Sequence, residues 1–128
     1  MLAESYLQHE RTDEGLAAIA EAKELVARAD EHIWEAELNR IDGELQRLQG
    51  ASPDKLEFLF QKALAIARIQ SAKSFELRAS MSLARFWRDQ QRSAEARDLL
   101  APIYNWFTEG FDTADLKEAK DLLDALTS

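Results

Sequence analysis

Arg68, Lys73, Arg78, Arg85, Arg88, Arg92 and Arg97 fall within a stretch, residues 68–97, whose only acids are Glu76, Asp89 and Glu95. Guanidinium groups donate hydrogen bonds in a planar fork, so they can hold carboxylates in bidentate pairs without losing charge at physiological pH. That chemistry suits recognition of an acidic segment of a protein or peptide. The same arginines could instead pair with Glu44, Glu76 or Asp89 on their own surface, each pair contributing little. The rest of the chain is acidic, and the formal net charge is −8. A phosphate backbone would be repelled, so no nucleic-acid partner is expected.

Other reactive side chains stand apart. His9 and His32 have no second ligand at helical spacing, whereas a metal site needs three or four converging donors. Glu35 with Glu37, and Asp121 with Asp124, are carboxylate pairs in name, but acid–base work requires burial or a forced close approach. In so acidic a chain they read as solvated faces. Ser80 and Ser82 have no nearby histidine to act as a base, and read as small packing residues. Gly15, Gly43, Gly50 and Gly110 are too scattered to cradle phosphate. The chain contains no cysteine, which removes disulfides and thiolate chemistry together and fits a reducing, cytoplasmic setting. The sequence therefore predicts no catalytic residue, no metal site and no cofactor.

The elements that must position these residues are helices. Apolar residues return every three and four positions along most of the chain, and no strand alternation appears. The spacing predicts helices over residues 2–10, 13–29, 33–48, 53–70, 74–91, 93–109 and 114–126. Ser52 before Pro53 is an N-cap with proline at the first helical position. Gly50 and Gly110 can supply left-handed helix ends, and Thr113 can cap the last helix. Pro102 falls inside the sixth helix, where it removes the amide that would bond the Asp98 carbonyl.

The helices repeat. Leu2, Ala3 and Tyr6, then Gly15, Ile19 and Ala22, recur as Leu83, Ala84 and Trp87, then Ala96, Leu100 and Ile103, at a uniform offset of 81 residues. An intermediate copy shows in Leu56, Phe60 and Ala63, which lie 41 residues after Gly15, Ile19 and Ala22. Ile41 and Leu45 supply its first helix. A single domain over residues 1–128 is expected, with repeats at about 1–30, 32–72 and 74–110 and a capping helix at 113–127. One hairpin cannot bury its own apolar face, whereas stacked hairpins can. A plain helical bundle with coincidental spacing is the alternative. Most aromatics read as core, Phe60 and Trp87 filling the bulky repeat positions. Phe86 and Trp87, adjacent on a helix, must face different ways, so one should pack between hairpins.

The large–small–aromatic order resembles the tetratricopeptide repeat, with a unit near 40 residues rather than about 34. The segment from Leu83 to Leu126, above all YNWFTEGFDTADLKEAKDLL from Tyr104 to Leu123, resembles the C-terminal region of certain bacterial signalling proteins. These join an adenylate/guanylate cyclase-type or DNA-binding domain to a STAND-type ATPase and a tetratricopeptide tail. WEAELNRIDGEL and FQKALAIARIQSAKSFELRASMSLAR fit the same pattern. The resemblance implies an all-α, superhelical stack of three hairpins plus a cap, with catalysis confined to upstream domains. It implies protein–protein interaction as the function, or alternatively an intramolecular regulatory or structural arm. Met1 would open inside the first helix of a hairpin, as in a fragment, and Ser128 would fall where such proteins end.

In tetratricopeptide stacks the first helix of each hairpin lines the concave face. On that analogy the partner-binding residues are Asn39, Arg47, Arg78, Met81, Arg85 and Arg88, beside Gly43, Gln46 and Asp89. Upstream domains of the parent are candidate partners. Leu2 and Tyr6 at the N-terminal end should promote self-association. No membrane span is expected, because the most apolar stretch, Leu99 to Phe107, is short and interrupted.

Overall fold

In the computed structural model the backbone is described for residues 12–29, 34–107 and 113–127, and the side chains for 13–24, 34–107 and 113–127. These residues are helical throughout apart from short turns, and no strand occurs among them. The helices are α1 (Thr12–Ala29), α2 (Glu35–Leu48), α3 (Pro53–Ile69), α4 (Lys73–Asp89), α5 (Ser93–Trp106) and α6 (Ala114–Thr127). The helix expected at residues 2–10, with Leu2 and Tyr6, lies outside the described residues, as do Gly110 and Phe111. The sixth predicted helix is shorter than the sequence suggested. It runs through the exposed Pro102 and ends one turn later at Trp106, where Phe107 becomes extended (φ −75°, ψ 128°).

Helix ends follow local chemistry. Ser52 Oγ accepts from the Lys55 amide at 3.3 Å and Pro53 occupies the first helical turn. Thr113 Oγ1 accepts from the Leu116 amide at 3.4 Å. The ends of α2, α3 and α4 share one motif. Each closes on a left-handed residue, Gly50 (φ 77°), Ser71 (φ 54°) or Gln91 (φ 63°). The next amide then reaches back five residues: Ala51 to Gln46, Ala72 to Ala67 and Arg92 to Trp87, at 2.8–3.0 Å. These are Schellman turns, which satisfy the last carbonyls of a helix. At Ser71 and Gln91 a side chain takes a conformation that costs about 1–2 kcal/mol without glycine.

Consecutive helices pack against each other, and in addition α2 packs on α4 and α4 on α6. Among the described residues the backbones of α1, α3 and α5 come close only to those of their sequence neighbours, and α1 does not approach α6. The even-numbered helices thus form a continuous row, and the odd-numbered ones lie outside it. Among the described repeat positions read from the sequence, Ile19, Leu56, Phe60, Ala63, Leu83, Ala84, Ala96, Leu100 and Ile103 are buried, whereas Ala22 is half-buried. Gly43 lets α3 approach α2, since a Cβ there would stand 2.6 Å from Cε1 of the fully buried Phe60. Phe86 turns toward α3 and meets Phe60 at 6.0 Å between ring centres. Trp87 is half-buried beside both neighbouring core clusters. The α6 stripe of Leu116, Ala119, Leu122 and Leu126 closes over Leu77, Met81 and Ala84 of α4 and Leu100 and Ile103 of α5. No described helix is long and apolar enough to cross a membrane.

Candidate functional site

Arg78, Arg85 and Arg88 recur on α4 at spacings of seven and three, which keeps them on one helix face. The facing helix, α6, presents Asp115, Glu118 and Asp121 one turn apart. Arg78 Nε donates to Asp115 Oδ2 at 2.9 Å, and Arg85 Nη2 to Glu118 Oε2 at 3.4 Å. The pairs advance in the same direction along both helices, so α4 and α6 run parallel. Beyond them Arg85, Arg88, Glu118, Asp121, Leu122 and Ala125 line an open cleft of about 260 Å³. Arg88 also reaches Asp89 at 3.4 Å. One wall of the cleft is therefore cationic, the other anionic, and the floor apolar.

Arg78 turns its other side toward α2. Its Nη1 donates to Glu37 Oε2 at 2.7 Å, while Arg40 donates to the same carboxylate through Nε at 2.6 Å and Nη2 at 3.1 Å. Arg40 Nη1 continues to Ser82 Oγ at 3.2 Å. Glu37 is only 2% exposed. Burial pushes its carboxyl upward, but the hydrogen bonds and charges of Arg40 and Arg78 outweigh that and hold it below the usual range. Burial likewise works against charge on Arg78, and its bonds to Asp115 and Glu37 more than compensate, raising its pKa. A single guanidinium thus joins three helices of the even row. Glu37 was expected to be solvated, and this placement corrects that reading. The sequence clue is Arg40 one turn away. Asp115, still partly exposed, is engaged by the Arg78 guanidinium.

Two of the six residues expected on an open groove are interior. Asn39 is 2% and Met81 3% exposed. The reason is the even row itself: α4 packs over α2, and α6 lies directly on α4, so the faces a shallow groove would leave open are covered. Met81 could have been read as core, because it continues the line of Leu77 and Ala84. Asn39 could have been read as a contact residue, because Ala36, Asn39 and Gly43 form a ridge of small residues. Asn39 Nδ2 donates to the Glu35 carbonyl at 2.9 Å, whereas its Oδ1 and Ser80 Oγ have no partner among the described residues. Arg47 is exposed and meets Glu44 at 3.4 Å. Arg78, Arg85 and Arg88 remain partly accessible, and only the last two line the cleft.

A second polar cluster joins α3 to the α4–α5 turn. Trp87 Nε1 and Arg92 Nη1 both donate to Glu57 Oε1 at 3.1 Å, and the Arg92 guanidinium lies 4.6 Å from the Trp87 ring centre while gripping Glu95. Burial nudges the Glu57 carboxyl up, but its bonds from Trp87, Gln61 and Arg92 bring it below the usual range. Among the described residues no group of three or more His, Cys, Asp and Glu could hold a metal. His9 and His32 lie outside them. Neither family models, nor curated proteins, nor solved structures give a match to this chain.

Proposed function

We propose that the chain is a tetratricopeptide-like stack that binds an acidic segment of another protein in the cleft between α4 and α6. The observation that carries this reading is the placement of Arg85 and Arg88 along one wall of an open cleft on the even row of helices. Three parallel helices in lateral contact, flanked by an outer row, are what stacked hairpins require. On the resemblance of the C-terminal segment, the module would be the sensor or partner-binding region of a bacterial signalling ATPase or nucleotide cyclase, working in the cytoplasm.

Glu118 and Asp121 make the cleft selective by competition. An incoming carboxylate replaces Glu118 on Arg85, so the long 3.4 Å pair is the one that yields. A second reading has its own support. Each arginine already contacts a carboxylate of this chain, which suits a structural arm that receives no separate partner. Titration with a fluorescent glutamate-rich decapeptide separates the two. In the binding reading Glu118→Gln tightens the complex and Arg85→Glu weakens it about tenfold, with helix content unchanged. Equal affinities for wild type and both variants would leave the structural arm as the account of this surface.

A further inference from the structure

The outward face of α3 is unlike that of any other described helix. Phe58 and Ile69 are 64% and 84% exposed, and Ala65 between them is exposed too. At 100° per residue these three lie within about 40° of one another, centred on the face turned away from α2 and α4. They form a line about 16 Å long, or three helical turns. Singly exposed apolar residues are ordinary, but a line of them along one helix marks a contact surface.

One flank of the line is basic, and the other carries Arg68 together with Asp54 and Gln61. Lys55 and Lys62 are exposed along one side and form no salt bridge among the described residues, while Arg68, on the other side, meets Glu76 at 3.4 Å and is still about half exposed. Asp54 stands at the N-terminal edge, and Glu57 is turned toward Trp87 and Arg92. A basic, apolar strip is thus set in a chain whose formal net charge is −8. That contrast selects the occupant. A membrane or a nucleic acid is an extended anionic surface and would meet the repulsion of the whole molecule. A helix of three or four turns covers only the strip, and charges beyond a Debye length of about 8–10 Å are screened from it.

We propose that the outward face of α3 docks an acidic amphipathic helix of a partner protein. The partner's apolar seam lies on Phe58, Ala65 and Ile69, and its flanking carboxylates meet Lys55, Lys62 and Arg68. The surface belongs to the outer row of helices and does not depend on the α4–α6 cleft.

The probe is a labelled four-turn peptide with leucine at helical spacing and glutamate elsewhere, followed by fluorescence anisotropy against the full chain. Wild type should bind it, and should bind several-fold more weakly when salt rises from about 50 to about 500 mM. Ile69→Ser and Lys62→Glu alter exposed side chains, so the fold should persist while affinity falls about tenfold for each. Arg97→Glu reverses an exposed charge on α5 outside both surfaces and should leave the affinity unchanged, so that a loss at Lys62 reports the α3 strip rather than net charge. A lysine version of the peptide that binds equally well would overturn the proposal. So would a glutamate peptide of the same composition without the leucine seam binding as tightly, or anionic phospholipid vesicles capturing the protein where the acidic helix does not.

Discussion

Glu37 is a carboxylate taken out of water and held by two guanidinium groups. A buried pair adds little stability over a well-packed apolar substitute, but removing one partner strands the other charge and costs about 3–5 kcal/mol. Glu37→Gln should therefore lower the unfolding free energy by about 3 kcal/mol in urea titration. The pH dependence has a definite sign. The folded carboxyl titrates below its unfolded value of about 4.3, so its contribution is complete above that pH and is lost as the pH falls through the lower folded value. The wild type should lose stability from about pH 4.5 downward, and Glu37→Gln should show a flatter acid limb. Equal acid limbs would assign the loss to other carboxylates. The pair was hidden in the sequence because charge patterning reports neighbours along a helix. Arg40 could be foreseen, but Arg78 approaches only when α4 lies on α2.

Gly43 and Phe60 set how closely α2 and α3 approach. Alanine is the better helix former by about 1 kcal/mol, yet its Cβ would stand 2.6 Å from the Phe60 ring, which has no exposed edge to move into. Overpacking of this kind costs about 1–3 kcal/mol, so Gly43→Ala should destabilise on balance. Phe60→Leu in the Gly43→Ala background should cost less than it does in the wild type, as read from a double-mutant cycle of thermal melts. Additive effects would mean that the ring is not what Gly43 accommodates. Helix positions, the Ser52 cap and the repeated buried sites were legible because period and capping are local properties. The end of α5 was not: Gly110 looked like the stop, and helix was read on to residue 109, although Pro102 had already removed an amide from the hydrogen-bond ladder. The groove residues were misread for a different cause. Asn39 and Met81 have plausible surface chemistry, and only the lateral packing of the even row encloses them.

At the scale of the whole molecule, contacts run between sequence neighbours and along the even row. Where contacts run mainly between neighbouring helices, each opens with its own free energy, so α6, which among the described residues packs only on α4 and α5, should lose amide protection well before the middle. Arg78 changes that expectation, because it grips Glu37 of α2 and Asp115 of α6 at once. Detaching α6 disturbs the same guanidinium that neutralises a buried charge on α2. The two helices should therefore share part of one opening event although their backbones do not approach each other. In native-state hydrogen exchange, the slow amides of α2 and α6 should report similar opening free energies. In Arg78→Met the protection of α6 should fall away first, leaving that of α3 less affected. If α6 already exchanges far faster than α2 in the wild type, the ion bridge transmits no cooperativity between them.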